Sequence, residues 1–462
     1  MRDLSLQELA QAATMAGKIA ESLLFKPVGE TEQKLGSLIA FLQASETKLI
    51  RLMNGEHPSE YESGNTQYGL ALYVIECHLG ALKHLLHLPP SQITAAMLLQ
   101  WGAEVESSGV ADYDGSLIVV VKFAQLDAGW VFALLFYVAL VLDVKEVSSW
   151  ATFGSTPAII NTQSDRVKIA LVGDWGTGSW QDGMIQYPAL QVIDQVRSLA
   201  PDYTIHLGDV YYAGTQGFLG MDEEMANFVD LWADGSQGSF LLNSNHEMYS
   251  GGRGLFERGL TASPFAAQNG TSYFAIQGDK WIIIGLDSAY YDKSLLFLNG
   301  SLSDDNQKNF IKGLDTTNKN VILLTHHNPI SVDGTSVLPL WGEMNSALGR
   351  APEFWYWGHI HNGIVYSDQS MAGQAGTKGR CSGHGAIPFG VAYGLQNADG
   401  SNNTTIDYFA HELLTSAYDN TDTQQTNRVL NGFTLLTIGG DSIKEEFYDQ
   451  TGAVNWSETT PI

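Results

Sequence analysis

The chain has 462 residues, 44 % of them hydrophobic and 16 % charged, with a formal net charge of −26. That length predicts two or three domains, and the apolar content is ample for a sizeable core. The acidic surplus excludes a surface that tracks nucleic-acid phosphates, which needs Lys and Arg, although bound cations could still hold a small anion.

Residues 1–155 are predicted to be mainly helical, because apolar residues recur at three-to-four spacing through 4–24, 31–53, 67–86 and 91–105. Pro89 and Pro90 separate two of these stretches, and Ser91 is a candidate N-cap. Residues 116–123 are rich in β-branched side chains and form a candidate strand. The N-terminus lacks the continuous apolar core of a signal peptide, which predicts a cytoplasmic protein. The apolar run 129–142 is shorter than the ~20 residues that span a bilayer. Lys122, Asp127, Asp143 and Lys145 flank it, so a buried core helix is the first reading and membrane contact the alternative. His57, His78, His84 and His87 have no ligand spacing, and this region carries no catalytic constellation. A cap, a dimerisation module or a membrane-surface anchor all suit it. Cys77 and Cys381 are expected to be reduced thiols.

The polar stretch 156–165 reads as a linker, with Pro157, Asn161, Ser164 and Asp165. Residues 165–450 then form a second predicted domain. Short apolar runs there end in Gly/Asp/Asn/His clusters: VKIALVGD, YTIHLGD, SFLLNSNHE, KWIIIGLDS, NVILLTHH and EFWYWGHIH. Helices are predicted at 187–199 and 304–314, and two further strands at 432–438 and 442–449. This alternation is that of a layered α/β core, in which ligands collect at strand ends. Residues 395–427 are polar and read as an insertion or long loop.

The strand ends bring together Asp174, Asp209, Asn245, His246, His326, His327, His359 and His361. Hard oxygen donors mixed with imidazoles suit two cations about 3.5–4 Å apart, which clamp the attacking and leaving oxygens of a phosphoester. Gly173, Gly208 and Gly358 each precede a candidate ligand, where the backbone must turn sharply. His359 and His361 share one face if their segment is extended. His326 is preferred to His327, because the run NVILLT should end there. Asp287 is expected to structure its own loop.

The ordered series GDWG (173–176), GDVYY (208–212), SNHE (244–247), LTHH (324–327) and GHIH (358–361) resembles the calcineurin-like metallophosphoesterase superfamily. The resemblance covers residues 165–450 and implies an α/β/β/α sandwich. It also implies a dinuclear-metal phosphoester hydrolase that uses a metal-bound hydroxide on a small phosphorylated substrate. Most members have a His where Gly176 stands. Together with Tyr212, three residues after Asp209, Gly176 makes the chain similar to purple acid phosphatases. That variant implies one ion, typically ferric iron, on Asp174, Asp209, Tyr212 and His361. The second, iron, zinc or manganese, falls to Asp209, Asn245, His326 and His359, with Asp209 bridging. His246 is implied as the catalytic group that faces the leaving group or phosphate, oriented by Glu247.

Arg253 and His384 are further candidates for substrate contact. A packed aromatic at Tyr212 and a solvated loop at Arg253 are the alternatives. Ser244 departs from the Gly usual in the third motif, and the β-sandwich of plant members is missing. A phosphodiesterase acting on cyclic nucleotides or phospholipid headgroups is the alternative activity. A non-catalytic binding scaffold is a third reading.

Overall fold

The computed structural model describes Phe123, residues 156–180 apart from 163 and 165, and residues 187–215 and 223–294. It also describes residues 297–412, apart from 393 and 398, and residues 429–462. The predicted N-terminal helices, Cys77 and the apolar run 129–142 lie outside these residues. Phe123, the last residue of the candidate strand, sits in a turn.

The elements in chain order are β1 (Ile159–Asn161), β2 (Arg166–Val172), α1 (Pro188–Leu199), β3 (Tyr203–His206), α2 (Glu223–Val229), β4 (Gly238–Leu241) and α3 (Asn245–Tyr249). Then come β5 (Phe274–Gln277), β6 (Trp281–Gly285), α4 (Asp305–Gly313), β7 (Asn320–Leu324), α5 (Pro339–Leu348), β8 (Phe354–Trp357) and β9 (Gly363–Tyr366). The chain closes with α6 (Met371–Gln374), β10 (Lys378–Ser382), β11 (Ile406–Phe409), β12 (Gly432–Gly439), β13 (Ser442–Asp449) and β14 (Val454–Pro461).

Two sheets form, one of eight strands in the order β1-β5-β6-β7-β8-β10-β9-β11 and one of six in the order β14-β13-β12-β2-β3-β4. Alternation along the strands decides how they stack. In β2, Val167, Ile169 and Leu171 face the other sheet, while Ala170 and Val172 face outward. In β7, Ile322 and Leu324 face inward, while Val321 and Leu323 face outward. Side chains two residues apart share one face of a strand, so each sheet presents two apolar faces. The inner faces meet in one core with Ile205, Phe240, Phe274, Ile283 and Tyr356. The outer face of the six-stranded sheet is covered by Val192, Ile193 and Val196 of α1 and Phe228 of α2. Ile311 of α4 and Leu340 and Met344 of α5 cover the other. The result is the layered α/β/β/α sandwich expected from the sequence.

Local signals place the helices. Pro188 opens the first turn of α1, where its missing N–H costs nothing. Asp304 caps α4, its carboxylate accepting from Asn306 N and Gln307 N at 2.9 and 3.1 Å.

Two readings need correction. The segment read as a linker contains β1, which pairs in parallel with β5. The segment read as a loop contains β11, which pairs with β9. Both strands lie at the ends of the eight-stranded sheet, and β1 is too short to show a period of two. Beyond residue 450, β14 extends the six-stranded sheet by pairing with β13. Among the described residues, no helix is long and apolar enough to cross a membrane.

Candidate metal centre at the strand ends

Parallel pairing sets up the site. In one sheet β2, β3 and β4 run parallel, and in the other β7 and β8 do. Their C-terminal ends therefore carry the loops that hold Asp174, Asp209, Asn245, His326, His359 and His361. Asp174, Asp209 and His359 have φ of 56°, 73° and 65°. Non-glycine residues rarely adopt this left-handed region, and such strain gathers where side chains must be aimed. Gly208 has φ of 102°, and a Cβ there would come 2.7 Å from His326 Nδ1. At Gly358 a Cβ would come 2.7 Å from Asp174 Oδ2. Both positions need the absence of a side chain, as their place before candidate ligands suggests.

The six side chains converge. His326 Nε2 lies 2.9 Å from Asn245 Oδ1, 3.2 Å from Asp209 Oδ1 and 3.2 Å from His359 Nδ1. His359 Nδ1 is 3.1 Å from Asn245 Oδ1. His361 Nε2 is 3.5 Å from Asp174 Oδ1 and 3.7 Å from Asp209 Oδ2. Asp174 accepts a hydrogen bond from the His359 backbone N–H at 3.0 Å, through Oδ2. Its Oδ1 and both oxygens of Asp209 are buried and accept none. Buried carboxylate oxygens are rarely left so, because desolvating them is costly unless a proton or a cation compensates. Oxygen and imidazole donors on one small pocket therefore fit a pair of metal ions.

Charge in the cluster is polarised. Burial, and then Asp209, pushes the Asp174 carboxyl well above its ordinary range. Burial also opposes charge on Asp209, but His326 and His246 outweigh it and hold that carboxyl well below its usual value. On His326 burial is outweighed by Asp209, so its pKa rises. Burial, and then His327 and His326, lower His359 strongly, which favours the neutral ring a metal requires.

Residues around the cluster orient it. His326 Nδ1–H donates to Leu207 O at 2.8 Å, which turns Nε2 toward Asn245 and Asp209. Asn245 Nδ2 donates to Tyr249 Oη at 3.1 Å, which turns Oδ1 toward the imidazoles. His206 Nε2–H donates to Trp175 O at 2.6 Å while its Nδ1 accepts from Gly208 N at 3.3 Å, joining the first two motifs. Burial lowers the His206 pKa to about 3, so this tautomer is neutral. The buried Glu224 carboxylate accepts from Tyr212 N, Ala213 N and Thr215 N at 2.9, 3.2 and 2.8 Å, pinning the loop after Asp209. Tyr249 stands four residues after Asn245, a helical spacing that would have pointed to it. His206 and Glu224 carry no such sequence signal.

Ser244, the departure in the third motif, N-caps α3 and accepts from His246 N at 3.1 Å. Asp287 accepts from Ser272 Oγ, Ala289 N and Tyr290 N at 2.6, 2.9 and 3.0 Å, structuring its loop as expected.

Tyr211 Oη lies 3.3 Å from His361 Nε2. Tyr212 Oη accepts from Phe123 N at 3.1 Å, and its ring stacks on Phe123 at 4.9 Å. Glu247 accepts from Val210 N at 2.9 Å and pairs with Ser244 Oγ, which itself accepts from His246 N. Burial, and then the Asp209 charge, raise Glu247 to about 7. His246 is oriented by the Tyr212 carbonyl, which accepts from Nδ1–H at 2.6 Å. Its pKa is lowered to about 4, chiefly by burial.

His327 has ligand atoms within 4.8 Å of His326 and His359. Both its nitrogens are engaged, however, Nδ1 by Ser288 Oγ at 2.8 Å and Nε2 by Phe297 O at 2.7 Å. Arg253 is exposed and pairs with Glu257 one helical turn on, at 3.0 Å. His384 is buried away from solvent between Gly363 and Gly432, stacked on Phe447 at 6.1 Å. A glycine-rich setting hid that packing, since small neighbours make room for a ring as readily as for a ligand.

Residues 167–363 match the calcineurin-like phosphoesterase family and form a domain of that kind. No curated protein matches the chain. Among solved structures, it is similar to GAP50, the anchor in the inner membrane complex of Plasmodium. That match has 14 % identity and a TM-score of 0.44, covering 64 % of this chain and 89 % of that one. A dimetal phosphatase from Danio rerio is similar at 13 % identity and a TM-score of 0.38, covering 64 % and 98 %. A Vps29 single mutant from Entamoeba histolytica follows at 10 % and 0.25, covering 64 % and 99 %.

Proposed function

We propose that the chain hydrolyses a small phosphoester with two cations. One would be held by Asp174, Asp209 and His361, the other by Asp209, Asn245, His326 and His359, with Asp209 shared. The observation that carries this reading is the set of buried, unbonded oxygens of Asp174 and Asp209 facing the imidazoles. When bound, the cations supply positive charge for the phosphoryl oxygens and bring water to a nucleophilic form near neutral pH. Asn245 and the imidazoles fix where the ester's oxygens sit.

His246 is the group assigned to the departing oxygen. Its Nδ1 is committed to the Tyr212 carbonyl, which leaves Nε2 to meet substrate. Burial keeps the resting ring neutral, and an anionic ester beside it favours the second proton that it would pass on. Arg253 and His384 are not part of this reading.

Turnover of p-nitrophenyl phosphate and of its bis-ester, beside metal analysis of the purified chain, tests the proposal. Release of p-nitrophenol from either ester by metal-containing protein is expected, and the preferred ester separates monoesterase from diesterase. Absence of both metal and turnover would overturn it in favour of a binding scaffold.

The finer reading is a purple acid phosphatase-like site with iron at the first position. Gly176 supports it, because a Cβ there would come 3.0 Å from Val210 Cα, tighter than an ordinary contact. A tyrosine-to-ferric charge-transfer band in the visible spectrum is expected. Whichever of Tyr211→Phe and Tyr212→Phe abolishes the band identifies the tyrosine. A colourless, active protein containing manganese or zinc would refute the iron assignment.

A further inference from the structure

Two tyrosines pack on the His246 imidazole. The Tyr211 ring stacks on it with centroids 4.0 Å apart and planes 22° apart. The Tyr249 ring lies 4.7 Å away at 54°. All three side chains are buried, at 1 %, 1 % and 3 % exposure for Tyr211, Tyr249 and His246. Each tyrosine also reaches a candidate ligand through its hydroxyl. Tyr211 Oη is 3.3 Å from His361 Nε2, and Tyr249 Oη accepts from Asn245 Nδ2 at 3.1 Å. The backbone around His246 adds two fixed points, the Ser244 cap on its N–H and the Tyr212 carbonyl on Nδ1.

An imidazole held only at Nδ1 can still swing about that hydrogen bond. Rings packed on it remove that freedom, and such aromatic contacts are worth about 0.5–1.5 kcal/mol beyond area burial. Because each hydroxyl reaches a ligand on a different strand-end loop, the same two side chains also set the ring's distance from the cations. A proton donor misplaced by a fraction of an ångström loses most of its effect. We propose that Tyr211 and Tyr249 are a clamp of positioning residues, holding His246 in register with His361 and Asn245 so that its proton meets the leaving oxygen. The proposal rests on the phosphoester reading above.

The leaving group reports on the clamp. A p-nitrophenolate departs without a proton, whereas an alkoxide needs one, and a positioned acid is worth about 10²–10⁴-fold. The full-length, zinc-loaded chain is assayed with p-nitrophenyl phosphate and with glycerol 2-phosphate. Tyr211→Leu and Tyr249→Leu are expected to lower kcat on the alkyl ester at least about 10-fold more than on the aryl ester. Tyr211→Phe and Tyr249→Phe keep the rings but lose the hydroxyl contacts to His361 and Asn245, so their ratio of the two rates should fall between those of wild type and the leucine variants. Equal losses on both esters in the leucine variants would overturn the clamp.

A second readout does not depend on turnover. The His246 ring protons, shifted upfield by the tyrosine rings in NMR spectra of the zinc-loaded wild type and phenylalanine variants, should move downfield in the leucine variants. Unmoved signals would overturn the clamp even in an active enzyme. A wild type inert toward both esters refutes the phosphoester reading alone, and the NMR comparison then decides the clamp.

Discussion

Two buried polar clusters in this domain make opposite use of charge. In one, Arg380 is 2 % exposed yet fully engaged. Its guanidinium donates to Glu445 at 2.8 and 3.3 Å, to Glu458 at 2.9 Å and to the carbonyls of Gly379 and Tyr366 at 2.9 and 3.3 Å. Tyr356 also donates to Glu445, and Trp456 lies under the guanidinium at 5.2 Å. In the other cluster, Asp174 and Asp209 are as deeply buried, but three of their oxygens accept no hydrogen bond. A network whose members satisfy one another holds two sheets together. A network that leaves anionic oxygens unmet is built for something brought from outside.

The comparison can be broken at several points. Asp209→Asn should lower kcat/KM about 10³-fold or more by removing the shared charge, the scale of losing a dominant electrostatic group. Relief of repulsion with Asp174 and loss of the attraction to His326 and His246 oppose each other, so its melting temperature should change less than that of Arg380→Met. A variant that is both active and metal-replete would remove Asp209 from the centre. Arg380→Met should do the reverse. Leaving buried Glu445 unpaired costs about 3–5 kcal/mol of unfolding free energy. The folded fraction should keep its metal, and equal urea midpoints for variant and wild type would refute the structural role.

The adjacent histidines sharpen the boundary between the two kinds of cluster. His326→Ala should lose the cation held with Asn245 and His359, read directly as metal content. His327→Ala should retain both cations and cost about 1–3 kcal/mol, because Ser288 and the Phe297 carbonyl lose their partner. The reverse pattern of metal loss would exchange their assignments.

Buried neutral histidines predict a pH effect. His206, His327 and His384 are each lowered to about 3, chiefly by burial. Below about 6.5 the unfolded chain binds protons that these folded rings refuse, so the histidines' share of stability should fall as pH drops from there toward 3, opposed in part by the raised carboxyls of Glu247 and Asp174. Urea midpoints of chelator-treated protein across that range test the sign, and a midpoint that rises on acidification would contradict it. The smallest effect is expected from Arg253→Ala. Its exposed pair with Glu257 contributes about 0.3–0.5 kcal/mol, and turnover should stay within about 2-fold. A larger loss of turnover would return Arg253 to the substrate site.

The strands that carry ligands were legible because each is an apolar run followed closely by Gly, Asp, Asn or His. VKIALVGD, NVILLTHH and EFWYWGHIH all became such strands. β1 and β11 were not, because at three and four residues they lie inside polar stretches and end in no Gly/Asp/Asn/His cluster. β14 lay beyond the predicted boundary because it alternates exposed and half-buried positions with few apolar residues. His326 was preferred over its neighbour because the run before it ends there. The run cannot show that His327 has both nitrogens engaged by distant residues.

What the sequence determined by itself was the kind of chemistry and its scaffold. Donor types, their order and the strand before each are local properties, and a layered α/β fold brings such strand ends together. Tertiary structure alone decided which of two adjacent aromatics or imidazoles faces the pocket. It turned Tyr211 toward His361, stacked Tyr212 on Phe123, set the Tyr212 carbonyl on His246 Nδ1, paired Arg253 with Glu257 and stacked His384 on Phe447. Neighbours in sequence differ little in composition but point in different directions, and those directions are set by contacts with residues far along the chain.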